Sequence, residues 1–243
     1  MMNNESTTTS RQSGMVTIRQ VLARRIWDLF RSNLILLAGL FPGTILIIWG
    51  IWGGSLPIAL AGGLAGGLAG GPLLCGLYGV ILRALREESG FWSLTYRHIL
   101  KRDWKDALLP GAVTGLILSL WLFEVFLLGA QGPVPPIAFL ALAEVLFFVL
   151  GLANYIFPHI VMASVSARSV YTNSIRLFVG FLPRSVAAAA VQTVYWGAFL
   201  LLLPRSVPLL AATGFWLPCL ISLKILAEPM EKHLCSDKAQ NLH

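Results

Sequence analysis

Apolar residues run in six long segments arranged as three pairs, and a mixed polar and basic stretch precedes each pair. Residues 33–51 and 56–84 are joined by the charge-free Trp52-Gly53-Gly54-Ser55. Residues 108–129 and 135–160 are joined by Ala130-Gln131-Gly132-Pro133-Val134, and residues 185–203 and 208–227 by Pro204-Arg205-Ser206-Val207. Each segment reaches the roughly 20 residues that a helix needs to cross hydrocarbon. Within lipid the backbone must satisfy its own hydrogen bonds, so these segments are expected as helices. The pattern predicts an all-α, polytopic membrane protein with six transmembrane helices in three hairpins. A single domain then spans 16–230, with disordered tails at 1–15 and 231–243.

The stretch before each pair has helical periodicity of its own. Residues 16–31 place Ile18, Leu22, Ile26, Leu29 and Phe30 opposite Thr17, Gln20, Arg24, Asp28 and Arg31. Residues 91–107 place Trp92, Tyr96, Ile99 and Leu100 on one face and Arg97, Lys101 and Lys105 on another. Residues 165–182 form a weaker version with Val170, Ile175, Leu177, Phe178 and Phe181. Each is expected as an amphipathic helix lying in the cytoplasmic interface. The starts at 16, 91 and about 166 are evenly spaced, so the chain reads as three units of one orientation. Inverted repeats, which build many secondary transporters, are not what this pattern shows. Ala59-Leu60-Ala61 imitates a signal cleavage site, but the run before it exceeds the about 7–15 residues of a signal core.

Composition supports the membrane reading. The chain has 243 residues, 56% apolar and 12% charged, with a mean hydropathy of +0.75. Soluble domains carry about 25% charged residues. A net charge of +7 would suggest nucleic acid in a soluble protein, but here the cations flank apolar segments. Of the 18 Lys and Arg, all but Arg205 fall at the termini and the two long connections. That bias places both termini in the cytoplasm of a multi-pass plasma-membrane protein. Arg24, Arg25, Arg97, Lys101 and Lys105 are the candidate basic face for lipid headgroups or a partner.

Two features inside the apolar segments could carry function. Residues 61–71 repeat Ala-Gly-Gly-Leu, stacking Gly62, Gly66 and Gly70 beside Gly63, Gly67 and Gly71. Such a surface lets another backbone approach closely. It would seat either a neighbouring helix of the same chain or another chain, in a homo-oligomer or a transporter complex. Glu124 and Glu144 lie at expected depths of roughly 9 and 13 Å from the outer edge, close enough to meet across a hairpin. An intramembrane acid is a functional candidate, here for a proton or cation; the alternative is a neutral acid bonded to Gln192, Tyr195 or backbone. His159 reads as a helix-end residue, and Asn154-Tyr155 as a source of interhelical hydrogen bonds. The three cysteines form no C-x-x-C pair, and the four histidines are scattered, so no metal or cofactor is expected. No phosphate loop, nucleophile elbow, zinc-protease or dinucleotide motif is present, which argues against an enzyme.

Three stretches carry a family resemblance. Gly71-Pro72 is followed by Gly76-Leu77-Tyr78-Gly79-Val80 and a basic helix end with Arg83 and Arg86; Phe91 to Lys105 comes next. Later come Tyr155-Ile156-Phe157-Pro158 and a connection with Asn173, Arg176 and Pro183-Arg184. Over about residues 20–230 this resembles the YesL-like family of bacterial integral membrane proteins, a domain of unknown function. The Ala/Gly run at 59–71 and the long N-terminus depart from its pattern. The resemblance implies a bacterial plasma-membrane protein often encoded beside carbohydrate ABC transporters, with no catalytic residues to carry over. Two functions follow as expectations: a non-enzymatic accessory or scaffold for ABC-type transport, or a small transporter or channel using Glu124 and Glu144.

Overall fold

The computed structural model describes residues 17–88, 90–132, 135–162 and 167–240, and these are helical apart from short connections. The elements are α1 (Ile18–Trp52), α2 (Leu56–Leu85), α3 (Trp92–Ala130), α4 (Pro136–Met162), α5 (Ala167–Gly180), α6 (Leu182–Leu201), α7 (Val207–Ala212) and α8 (Trp216–Gln240). Four of them, α1 to α4, are long and apolar enough to cross a membrane; α5 and α6 make a fifth if the bent pair counts as one span. The segment 1–15, expected as a tail, lies outside the described residues, whereas α8 continues as helix to Gln240.

Two expectations about the elements are corrected. The first two amphipathic stretches do not lie apart from the spans that follow them. They continue without a break, so α1 has 35 residues and α3 has 39. No glycine or proline occurs between Arg31 and Leu34 or between Lys105 and Leu108, so nothing stops either helix. The third unit has both breakers, Gly180 and Pro183, and here the chain turns by 103° between α5 and α6. The second correction concerns the sixth segment, 208–227. It is divided into a six-residue α7 and the start of α8, with Thr213–Phe215 between them. Its apolar helical part, Trp216–Ala227, rises only about 18 Å, short of the roughly 30 Å of hydrocarbon.

The close packing centres on α2, which presents one glycine row to α1 and another to α3. A Cβ on Gly43 of α1 would stand 2.5 Å from Gly66 Cα, and one on Gly62 would stand 2.6 Å from Ile47 N. On the other side, a Cβ on Gly63 would lie 2.6 Å from Gly115 O, and Cβ atoms on Gly67 or Gly71 would lie 2.9 Å from Gly111 backbone atoms. These are backbone-to-backbone contacts that only glycine permits, and they supply dispersion where lipid offers no hydrophobic drive. Pro72 sits inside α2, which runs through it as one helix.

Larger side chains fill the opposite half of the bundle. Leu29 of α1, Leu77, Ile81 and Leu85 of α2, Tyr155 and Phe157 of α4, and Leu220, Leu223 and Leu226 of α8 are fully buried. This half, where α1 begins and α2 ends, also holds Arg24, Arg25, Arg83 and Arg97; we call it the basic end.

The contacts at Gly43 and Gly66 are unequal, which gives a paired prediction. A Cβ on Gly66 meets Gly43 Cα at 3.5 Å, an ordinary contact, whereas the reverse substitution collides. Gly66→Ala should be neutral or stabilising by up to about 1 kcal/mol through helix propensity. Gly43→Ala should cost about 1–3 kcal/mol through overpacking. Thermal unfolding of both variants in one detergent checks the asymmetry.

Candidate functional site

At the basic end, the turn after α2 is tied down by charge. Arg24 donates to Glu87 at 2.8 Å, and Arg25 reaches both Asp28 and the Glu88 carbonyl at 3.3 Å. Arg83 approaches Glu88 at 3.7 Å and hydrogen-bonds Thr95. These links hold Glu87 at a φ of 52°, a left-handed conformation uncommon outside glycine. Two small cavities of about 20 and 70 Å³ open beside Arg25, the larger lined by Gln20, Val21, Arg24, Ala84 and Glu87. Arg24 and Arg25 are therefore engaged in holding this turn. Arg97, Lys101 and Lys105 behave differently: they form an exposed ladder on α3, with Lys105 5.6 Å from the Trp104 ring centre. On the face toward α4, Arg102 grips buried Asp103 at 2.6 Å and donates to the Val161 carbonyl at 2.8 Å.

Further along the bundle, four helices meet at one buried polar node. Asn154 Oδ1 of α4 accepts from Tyr78 OH of α2 at 3.0 Å and from Gln192 Nε2 of α6 at 3.1 Å. Gln192 also lies 3.7 Å from Cys219 Sγ of α8 and accepts from Trp196 Nε1 at 3.1 Å. Asn154 Nδ2 has no partner among the described residues. Beside it, Tyr155 OH lies 2.7 Å from Ser185 Oγ, which donates to backbone carbonyls at the α5–α6 bend. The Asn154-Tyr155 pair thus supplies the interhelical hydrogen bonds expected of it. Gln192 and Tyr195, suggested as partners for the carboxylates, are occupied elsewhere; Tyr195 meets Thr213 at 2.9 Å. His159 is buried within α4.

A second polar clamp involves a residue that the sequence reading passed over. Asn33 of α1 is fully buried against the α7–α8 break. Its Nδ2 donates to the Leu210 and Ala211 carbonyls, both at 3.1 Å, and its Oδ1 accepts from Phe215 N–H at 2.9 Å. One side chain thereby satisfies three backbone groups that the broken helix leaves open. Gly214 lies against the same amide, where a Cβ would stand 2.7 Å from Asn33 Oδ1. The available signal was position: Asn33 shares a helix face with Leu29 and Leu36, which are buried.

Glu124 and Glu144 are both exposed and form no hydrogen bond or ion pair among the described residues. Their depths also change. Gly63 packs against Gly115 and Ser119, so the start of α2 at Leu56, two turns further on, is level with about Glu124. Glu124 therefore stands beside the Trp52–Ser55 turn. Trp121 donates to the Leu142 carbonyl at 2.7 Å, which puts Glu144 roughly level with Ser119, about 7.5 Å deeper. The six glycines of 62–71 are taken up by α1 and α3 of the same chain. Among the described residues no three His, Cys, Asp or Glu side chains gather as a metal set. Neither a family model, nor a curated protein, nor a solved structure matches the chain.

The two amides predict different losses. Asn33→Ala exposes two carbonyls and an N–H without partners and should cost about 2–3 kcal/mol. Ser32→Ala next to it removes one bond to the Asp28 carbonyl and should cost under about 1 kcal/mol. Chemical unfolding in mixed micelles distinguishes the two.

Proposed function

We propose that this is a multi-pass protein of the bacterial plasma membrane that catalyses no reaction and acts as an accessory or scaffold. Other membrane proteins are its partners, and the YesL-like resemblance makes a carbohydrate ABC-type permease the expected one. Nucleic acid plays no part. The observation that carries this reading is the division between interior and surface. The interior is closed by glycine contacts and by the Asn154 and Asn33 bonds, while Arg97, Lys101 and Lys105, which form no ion pair among the described residues, face outward.

The aromatic residues support a placement in the bilayer. Exposed Trp27 and Trp104 lie near the basic end, and exposed Trp49 and Trp52 lie at the far end of α1. From Arg31 to Trp52 the helix rises about 31 Å, the thickness of a hydrocarbon core. Tryptophans at both boundaries and arginines beyond one of them are the expected anchors. In this placement the basic end projects into the cytoplasm, with both termini on that side. Arg97 then stands at the boundary, while Lys101 and Lys105 lie one and two turns deeper and reach toward it by extending their side chains to the anionic headgroups or an acidic cytoplasmic loop. The transporter alternative requires Glu124 and Glu144 to line an interior path, and their exposed positions do not favour it.

Affinity purification in mild detergent from cells expressing the tagged protein at native level tests the proposal. The expected result is a stoichiometric ABC-type permease subunit that is lost when Arg97, Lys101 and Lys105 are all changed to Glu. A wild-type protein that purifies without any transporter subunit would contradict it. Gly66→Leu would be uninformative, because Gly66 faces α1 of its own chain.

A further inference from the structure

Three cations on the outside of α3 run from the edge of the apolar layer into it. Arg97, Lys101 and Lys105 follow one another one turn apart, are all exposed, and form no ion pair among the described residues. Their depth follows from the glycine contacts. Gly70 packs against Leu40 of α1 and Gly71 against Ala107 of α3, so Leu40 and Ala107 are level to within about 2 Å. Nine residues back from Leu40 is Arg31, and ten back from Ala107 is Arg97. In the bilayer placement above, Arg31 marks the edge of the hydrocarbon. Arg97 stands at that edge, with Lys101 about 6 Å and Lys105 about 12 Å inside it.

Direction and reach decide what these cations can meet. Helical side chains lean toward the N-terminus of their helix, which for α3 is the basic end, so both lysines lean toward the headgroups. An extended lysine stem covers about one helical turn. That is enough for Lys101, but Lys105 stops about one turn short. Its ammonium lies 5.6 Å from the Trp104 ring centre, and exposed Leu94, Trp104 and Leu109 frame the ladder. The nearby carboxylates of α3 do not answer it: Asp103 is buried and held by Arg102 at 2.6 Å, and Asp106 stands about 100° round the helix from Lys105. An ammonium beneath the headgroups is costly unless an anion comes down to it.

We propose that the ladder is a binding site for one anionic phospholipid, whose phosphate is drawn below the headgroup plane to Lys101 and Lys105 while its acyl chains lie against Trp104 and Leu109. A lipid suits this depth because its phosphate can sink while the rest of the molecule stays in hydrocarbon. An acidic protein loop would carry unsatisfied backbone groups to the same depth. A zwitterionic lipid brings a cation of its own and leaves the lysines uncompensated, so the site selects net negative charge. This assignment deepens the reading of the ladder given above. It rests on the same bilayer placement, and it does not require a permease.

The test is native mass spectrometry of the full chain released from mixed micelles that hold equal amounts of phosphatidylglycerol and phosphatidylcholine. The wild type should retain phosphatidylglycerol with a preference of about 25-fold or more. Lys101→Gln and Lys105→Gln should each lower that preference about fivefold, and the double variant should bring it near parity. Both side chains are exposed, so the helical circular-dichroism spectrum should not change. Arg19→Gln with Arg176→Gln removes the same charge from exposed arginines outside the ladder and should alter the preference by less than about twofold. Inorganic phosphate should not displace the lipid. A wild type that retains both lipids equally would overturn the proposal. So would equal losses in the two double variants, which would make net charge the cause, or displacement by inorganic phosphate, which would make this a site for a free anion. No permease is present in this experiment, so its failure and that of the affinity purification are read separately.

Discussion

Backbone contact between glycines is the constraint on which the rest of the molecule depends. In hydrocarbon, burying an apolar side chain against another helix gains little, because lipid tails are equally apolar. Removing side chains altogether lets helices approach until their backbones touch. Residues 62–71 do this twice, with Gly62, Gly66 and Gly70 toward α1 and Gly63, Gly67 and Gly71 toward α3. The partners are matched: Gly43 in α1, and Gly111 and Gly115 in α3, each of which would itself clash if it carried a Cβ. Three helices are thereby locked in register, and that register fixes the heights of Glu124 and the basic ladder.

The remaining helices are held by hydrogen bonds. The third unit contributes a bent pair and a broken segment, which leave backbone groups open in an apolar setting. Asn33 answers the break between α7 and α8, and Ser185 answers the bend between α5 and α6. Asn154 then joins α2, α4, α6 and α8 through Tyr78, Gln192 and Cys219. A lone amide satisfying groups on other elements is directional in a way that leucine packing is not, so these few residues decide which helix sits where.

Much of this was legible in the chain. The six apolar segments, the three amphipathic stretches and the glycine repeat all correspond to helix or helix contact. What periodicity could not tell was whether one element stops before the next begins. Ser32-Asn33 and Asp106-Ala107 are polar or small enough to suggest a boundary, yet neither breaks a helix, and α1 and α3 run straight through. Gly214 carried the opposite message, that the last apolar segment is interrupted. Length and hydropathy alone concealed it. The partners of Gly66 and Asn154 depend on tertiary register, which one sequence does not contain. Glu124 shows the same point: counted from its own segment it lies inside the apolar layer, but measured against α2 it stands beside a turn.

The central claim is that the glycine rows meet backbones of their own chain. Solid-state NMR in lipid bilayers tests it most directly, using protein labelled with ¹³C at glycine Cα and then diluted in unlabelled protein. The account predicts that Gly43–Gly66 and Gly67–Gly111 cross-peaks keep their intensity per labelled chain on dilution. Cross-peaks that fade as labelled chains become rare would place those contacts between molecules and contradict it.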